Sequence, residues 1–324
     1  MSAQFALQAA LAAVTLLASF TAVAQVYPSK PVRVIVPNPP GGATDVVARV
    51  VGQRLAEQWG QPVVVENRPG AGQAIGAEVV ARSPADGYTL FASSDSTFVA
   101  NPHLYRKLPY DPLKDFTPIV VFCRISPVMS VHPSLPVRGV RELIALAKSR
   151  PGELSYGSFG SGTYAHLSME EFKQRTGADI LHVPYKGGAP AVRDLVGGQI
   201  SVLLSSLASV DPYAKAGRLR IIAAATPKRL VLLPDLPTVA ESGVPGWETG
   251  AWFGLFGPAN LPREIVAKVH GDTNRVVDLP EIRAHYAKLA LEAVRMSPEE
   301  IAQYLPREME RWGKLIRATG ARAD

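Results

Sequence analysis

The stretch that decides the fold is Pro31–Asp45, with the sequence PVRVIVPNPPGGATD. Its first half is a run of β-branched residues between two prolines, which predicts a strand. The Pro-Pro-Gly-Gly segment that follows is typical of a turn. Thr44 and Asp45 are good N-cap residues, and apolar residues recur at helical spacing from Val47 to Leu55. The stretch therefore predicts a strand, a tight glycine loop and a helix that begins just after Asp45.

The same unit repeats further along the chain. Val63–Val65 predicts a second strand, and the glycine loop Gly70–Gly76 leads into a second helix. Tyr88–Ala92 predicts a third strand, which ends in a polar loop, Ser93–Thr97. Strands that alternate with helices indicate parallel βαβ units.

A second α/β unit follows the first. The β-rich run Ile119–Val131 is long enough to carry the chain from one domain into another, and Trp252–Phe256 predicts a return crossing. The C-terminal region predicts helices, one of which begins at Ser297. Between the two crossings the predicted strands are Leu154–Gly157, Ile180–Pro184, Ile200–Ser205 and Leu219–Ala225.

Composition excludes several classes of protein. The chain has 324 residues, with 34 Lys and Arg against 28 Asp and Glu, and it is 47% hydrophobic, which is too apolar for a disordered chain. Its single cysteine, Cys123, excludes an internal disulfide framework and a multi-cysteine zinc site, and we expect it to be a packed core thiol. Because no run is rich in Lys or Arg, no nucleic-acid partner is expected.

The N-terminal segment predicts export. The first 29 residues carry no charge, and Phe5–Ala24 is mostly apolar and ends in Ala-Val-Ala. We therefore expect a signal peptide over residues 1–24, cleaved near Ala24, and a periplasmic protein. The alternative is an uncleaved membrane anchor, because about 20 apolar residues can span a bilayer. The segment lacks the Lys or Arg that usually marks the start of a signal peptide.

Motifs for catalysis and for cofactors are missing from the sequence. It contains no Gly-x-Ser-x-Gly elbow, no Walker loop and no His-Glu-x-x-His. Gly70–Gly76 resembles the dinucleotide fingerprint, but its glycine spacing is one residue too long. We expect no cofactor, no metal and no catalytic residues.

Four loops of small residues instead suggest a binding site. Each follows the carboxyl end of a predicted strand, where ligands of open α/β sheets bind. Glycines let a ligand approach the backbone, and exposed amides at helix starts attract anions. Together such loops predict a cleft that binds a small anion without a charged side chain. The loops are Asn38–Asp45, Ser93–Thr97, Ser158–Thr163 and Lys186–Gly188.

Six motifs, spread in order over nearly the whole mature chain, resemble the Bug family of extracytoplasmic solute receptors of tripartite tricarboxylate transporters. The resemblance implies an α/β fold of the two-domain periplasmic binding protein class, a type II-like Venus flytrap with two crossover strands. It implies a small carboxylate ligand, such as a di- or tricarboxylate or an aromatic acid, and the transporter's membrane subunits as partners. The motifs are Pro37–Asp45, Val65–Gly72, Pro84–Leu90, Leu108–Pro112, His182–Gly187 and Leu236–Glu241.

The resemblance also implies which loop residues bind the ligand. Asn38 stands where the family commonly has Phe, which exchanges an apolar wall for a polar one. Ser205 stands where an Asp is common, so no carboxylate is available there to pair with an ammonium group, and an amino-acid ligand is disfavoured. The predicted ligand-binding residues are Asn38, Gly41, Gly42, Ala43, Thr44, Asp45, Ser93, Ser94, Ser158, Gly160, Ser161, Gly162, Thr163, His166, Lys186, Gly187 and Ser205.

The sequence thus predicts a monomeric periplasmic receptor, with residues 25–124 and 249–324 in domain 1 and residues 125–248 in domain 2. It would close around a small carboxylate for uptake or sensing. An exported α/β hydrolase is the alternative, with Ser158 or Ser161 as nucleophile and His166 as base. A secreted interaction module without a small-molecule ligand is the third hypothesis.

Overall fold

The computed structural model describes residues 27–320 except Gly42, Ser161, Lys186 and Ala290. The predicted signal peptide and its cleavage site lie outside these residues. Within the described part of the chain, none of the helices has the length and apolar character needed to cross a membrane.

Strands and helices alternate along most of the chain. A 3-10 turn, Ala71–Gln73, precedes the second helix, and a π-helical turn, Ser96–Ala100, precedes the third. In chain order the elements are β1 (Val32–Val36), α1 (Ala43–Trp59), β2 (Val63–Asn67), α2 (Ala74–Ala81), β3 (Thr89–Ser94), α3 (Asn101–Leu104), β4 (Phe116–Ile125), β5 (Pro127–Val131), α4 (Val140–Ser149), β6 (Leu154–Ser158), α5 (Tyr164–Thr176), β7 (Ile180–Pro184), α6 (Gly188–Val196), β8 (Val202–Ser206), α7 (Leu207–Lys215), β9 (Arg220–Ala224), β10 (Trp252–Pro258), α8 (Arg263–Asp278), α9 (Pro280–Lys288), β11 (Leu291–Met296) and α10 (Pro298–Thr319).

The first sheet has six strands in the order β11-β4-β10-β3-β1-β2. Because side chains alternate along a strand, Val34 of β1 packs in one core and Ile35 in the other. The Val34 core includes α1, α8 and α9, whereas the Ile35 core includes α2 and α10. The sheet is therefore buried on both faces, and the C-terminal helices complete the unit that the N-terminal strands begin.

The second sheet has five strands in the order β7-β6-β8-β5-β9. Its two cores lie under α4 and α5 on one face and under α6 and α7 on the other. Three adjacent strands of this sheet are parallel, since β6 pairs in parallel with both β7 and β8, whereas β5 runs antiparallel to its neighbours. The carboxyl ends of these three strands therefore point to one edge.

The chain passes between the two sheets twice. The first passage is Ser126, which joins β4 of the first sheet to β5 of the second. The return runs through Thr249–Ala251 and is tied to both sheets: Thr249 N–H donates to the Ala225 carbonyl (2.8 Å), and Ile125 N–H donates to the Ala251 carbonyl (2.9 Å). The predicted α/β fold with two crossover strands is confirmed.

Local predictions are confirmed in part. Ser297 forms the expected capping box, because its Oγ accepts from Glu300 N–H (3.1 Å) while the Glu300 carboxylate accepts from Ser297 N–H (2.8 Å). Cys123 is buried, as expected of a core thiol, and burial raises the pKa of its thiol.

Three local predictions were wrong. The helix α1 begins at Ala43, so Thr44 and Asp45 lie in its first turn rather than before it. Ser93 and Ser94 belong to β3 instead of a loop, because they pair with Gly254 and Phe253 of the distant strand β10. The C-terminal region includes a strand, β11, which is held by pairing with β4 rather than by its own sequence pattern.

Candidate functional site

The first loop of the site is held in place by Asp45. Its carboxylate is 2% exposed and accepts hydrogen bonds from Gly41 N–H (2.9 Å), Arg49 Nε (3.0 Å) and Asn67 Nδ2 (2.9 Å). Burial alone would raise the pKa of this carboxyl, but the hydrogen bonds from Arg49, Gly41 and Asn67 outweigh it and hold the pKa below its usual value. Asp45 therefore folds the loop back onto the start of α1, and its charge is already compensated.

Asn38 is oriented by the same network. Its carbonyl accepts from Asn67 Nδ2 (2.9 Å), whereas its side-chain Oδ1 is buried and has no hydrogen-bond partner among the described residues. A buried amide oxygen without a partner is costly unless a ligand or water binds it. Asn38 is thus a group that is ready to accept a hydrogen bond.

The hydroxyls at the end of β3 are satisfied within the protein. Ser93 Oγ lies 2.8 Å from Thr97 Oγ1, and Thr97 Oγ1 donates to Gln73 Oε1 (2.5 Å). Ser94 Oγ also contacts the Gln73 amide (3.3 Å). All three hydroxyl residues are buried, so the structure places them beneath the site surface.

The loop after β6 contains the second set of predicted residues. Gly160 and Gly162 have φ angles of +124° and +80°, which favour glycine because other side chains are strained there. Thr163 Oγ1 donates to the Gly160 carbonyl (2.7 Å), and Gly162 N–H donates to His166 Nδ1 (3.0 Å). Ser161 between them lies outside the described residues, as do Gly42 and Lys186 of the neighbouring loops.

A column of three aromatic rings supports this loop. The His166 and His182 rings stack with centroids 4.1 Å apart, and Tyr156 stacks on the other side of His182 at 4.9 Å. Ser158 Oγ lies 2.6 Å from His182 Nε2, so both histidines contact loop residues. The pKa of His166 is lowered to about 4, mainly by burial and secondly by the neighbouring His182. His182 was not predicted as a site residue, since nothing in the local sequence shows that β7 brings it beside α5.

This column predicts that acid destabilises the protein. The unfolded chain takes up a proton on His166 near pH 6.5, whereas the folded chain does so only near pH 4, so stability falls as the pH falls between these values. Glu170 opposes this shift, while Lys173 and His182 reinforce it. We expect about 2–3 kcal/mol less stability at pH 4.5 than at pH 7 from this group.

Denaturant unfolding at both pH values checks this expectation. His166→Gln, which keeps an acceptor for Gly162 N–H, should lose the contribution of this histidine, so its stability should fall by about 2–3 kcal/mol less than that of the wild type between pH 7 and pH 4.5. His132→Gln, outside the column, should keep it. An unchanged pH dependence in His166→Gln would show that the histidine is not buried in its neutral form.

A cavity of about 760 Å³ lies where the two sheets face each other. It lies at the carboxyl ends of β1, β6 and β8, where ligands of open α/β sheets bind. Its volume suits a small organic molecule. Of the predicted residues that the structure describes, Asn38 alone lines it. The other lining residues are Ile125, Phe159, Tyr164, Gly188, Ala189, Val192, Arg193, Ser206, Ser209, Tyr213, Ala251 and Phe253.

The remaining predicted residues lie around this cavity rather than in its wall. Gly187 and Ser205 each adjoin a lining residue, and Ser205 Oγ is buried without a partner among the described residues. Half of the lining residues missed by prediction lie on α6 and α7, and on α6 Gly188, Ala189, Val192 and Arg193 share one helical face. The sequence gives the spacing of this face but does not show that it borders a cavity.

The geometry does not support the hydrolase alternative. Ser158 is fully buried, and the histidine beside it is His182 rather than His166. His166 Nδ1 is already engaged by Gly162 N–H. Among the described residues, no group of three His, Cys, Asp or Glu side chains could hold a metal ion.

Known proteins resemble this chain over most of its length. The model of the tripartite tricarboxylate transporter family receptor, TctC, matches residues 47–321. Protein BugT of Bordetella pertussis is 37% identical over 300 residues, which are 92% of this chain and 92% of BugT. The matching relatives and the matching fold are those of solute receptors rather than enzymes.

Solved structures agree with this assignment. Rpa4515 of R. palustris, solved with adipate, is 39% identical with a TM-score of 0.79, over 91% of this chain and 98% of that one. MatC of Rhodopseudomonas palustris, solved with bound malate, is 31% identical with a TM-score of 0.75, over 90% of this chain and all of that one. The resemblance inferred from the sequence motifs is confirmed: this chain belongs to the family of tripartite tricarboxylate transporter receptors.

Proposed function

We propose that this chain is a periplasmic receptor that captures a small carboxylate in the cavity between its two sheets. The observation that carries the proposal is the charge of that cavity: among its described lining residues the one charged side chain is a cation, Arg193, and none carries a carboxylate. Relatives solved with adipate and malate support the same ligand class. Receptors of this family are periplasmic.

The binding role of the loops is part of the proposal. We propose that one carboxylate lies between the Gly41–Asp45 loop and the Ser158–Thr163 loop and accepts hydrogen bonds from their amides and hydroxyls. Hydrogen bonds to a charged group contribute about 1.5–3 kcal/mol each, which offsets the lost hydration of the anion. Asp45 and His166 then act by holding these loops, since their polar atoms already bond to loop amides.

The two sheets support a two-domain arrangement. We propose residues 25–124 and 249–324 as domain 1 and residues 125–248 as domain 2, with the hinge in the two passages between the sheets. Closure about this hinge would bury the ligand. We further propose that residues 1–24 are a signal peptide cleaved near Ala24, and that the mature receptor is a monomer that delivers its ligand to the membrane subunits of a tripartite transporter.

A thermal-shift screen of the purified mature protein tests the function. The panel contains adipate, malate, benzoate and several zwitterionic amino acids. At 100 times its Kd a ligand adds about 2.7 kcal/mol of stability, so we expect at least one carboxylate to raise the Tm by about 5–10 °C. Amino acids should raise it little, because no described lining residue offers a carboxylate to their ammonium group.

Two results would contradict the proposal. Chemical turnover of a bound acid would indicate an enzyme. If no carboxylate changes the Tm and mass spectrometry finds no acid bound to the purified protein, an interaction module becomes the better hypothesis.

A further inference from the structure

Arg193 is the one charged side chain among the described residues that line the cavity. The adjacent residue, Asp194, accepts a hydrogen bond from the Tyr185 hydroxyl (2.7 Å) instead of pairing with Arg193. Among the described residues, Arg193 has neither a salt bridge nor a side-chain hydrogen bond, although most arginines elsewhere in the chain pair with a carboxylate. Its side chain is exposed to the cavity solvent. Because the described lining residues include no carboxylate, this guanidinium is complementary to a carboxylate supplied by a ligand.

The position of Arg193 separates it from the loops. It lies five residues after Gly188, at the start of α6, which places it about 7.5 Å further along the helix axis. On α7 the lining residues are Ser209 and Tyr213, and Ser206 lies just before the helix. On α6 the lining therefore extends from Gly188, beside the Lys186–Gly188 loop, to the cation at Arg193.

Part of the cavity wall is apolar. Phe159, Val192 and Phe253 line it, and they offer no hydrogen-bonding side chain. Such a surface favours methylene groups or an aromatic ring over a chain of hydroxyl groups. The described lining thus combines a cation with apolar surface.

We propose that Arg193 forms a second anion subsite and makes this receptor selective for dicarboxylates with an apolar body, either a saturated chain or an aromatic ring. This inference rests on the proposed function, because it assumes that the first carboxylate binds at the loops. The guanidinium binds the second carboxylate, so Arg193 determines the preference for diacids over monoacids. The sequence motifs do not show this subsite, because none of them includes Arg193.

Calorimetric titration of the mature protein tests the subsite. The ligands are the straight-chain diacids from succinate to suberate, each compared with the monoacid of equal carbon number, such as adipate with hexanoate. The wild type should bind its best diacid about 10- to 100-fold more tightly than the matched monoacid, since one charge-assisted contact is added. This difference should shrink at high salt.

The variants then assign the difference to Arg193. Arg193→Gln should weaken the best diacid about 10- to 100-fold and leave the monoacid unchanged. Arg150→Gln is the control, because it removes the same charge from an exposed residue after α4, near the amino ends of the second sheet's strands. It should bind both acids as the wild type does.

Failures of the two proposals are distinguishable. If the wild type binds diacid and monoacid equally, or if Arg193→Gln binds the diacid as tightly as the wild type, the subsite is refuted while the receptor function stands. An equal loss for diacid and monoacid would assign Arg193 to the first carboxylate and also overturn the subsite. If the wild type binds neither acid, the receptor proposal itself fails.

Discussion

Replacing Asp45 with alanine will both destabilise the protein and weaken carboxylate binding. The change removes a buried acceptor from three donors, Gly41 N–H, Arg49 Nε and Asn67 Nδ2. Gly41 and Asn67 then lose a partner within the part-buried network of the loop. We expect a loss of about 2–3 kcal/mol in the free energy of unfolding, which corresponds to a Tm lower by about 5–10 °C.

Binding should weaken for the same reason. Gly41 belongs to the loop that is proposed to donate its amides to the ligand, and without Asp45 this loop loses the contact that orients it. A donor that must be reordered on binding contributes less affinity, and we expect adipate to bind about 10- to 100-fold more weakly.

Two variants separate these effects from a general effect of charge. Asp45→Asn keeps the shape and one acceptor oxygen, so it should fall between the wild type and Asp45→Ala in both measurements. Asp179→Ala removes an exposed aspartate from the second unit and should change neither. Calorimetry and thermal unfolding measure both quantities. If Asp45→Ala binds adipate with wild-type affinity, the loop is not part of the site.

Much of the fold could be predicted because it depends on local pattern. The β-branched run at Val32–Val36, the capping box at Ser297 and the long crossing near Ile125 each have a signature within a few residues. The errors occur where distant pairing decides the structure. Ser93 and Ser94 are strand residues only because β10 returns beside them, and β11 is a strand only because β4 offers it an edge.

The site could be predicted less well than the fold. The loops at the strand ends are predicted, but six of the thirteen described residues that line the cavity lie on α6 and α7. An amphipathic helix has the same sequence pattern whether its outer face meets solvent or a second domain. The stacking of His166 on His182 is equally invisible, because it joins residues of α5 and β7 that meet only in the folded protein.

Filling the cavity should abolish binding without harming the fold. Ala189 lines the cavity and is exposed, so a tryptophan there occupies ligand space rather than the protein core. We expect Ala189→Trp to bind adipate at least about 100-fold more weakly, equivalent to about 2.7 kcal/mol. Its Tm without ligand should stay close to that of the wild type, since exposed substitutions usually change stability by less than about 0.5 kcal/mol.

Ala145 provides the matched control. It is exposed on α4, which covers the opposite face of the second sheet from α6. Ala145→Trp adds the same side chain to the same domain without entering the cavity. Both variants should unfold with similar midpoints, so a difference between them in binding reports on the cavity alone.

The calorimetric titration of Ala189→Trp beside Ala145→Trp is the most direct test of where this receptor binds its ligand. Adipate is the first ligand to use, followed by whichever acid of the diacid series binds the wild type most tightly. We expect Ala145→Trp to bind that acid as the wild type does and Ala189→Trp to show no measurable heat of binding. Equal affinities in the two variants would contradict the assignment of the ligand to the cavity between the sheets.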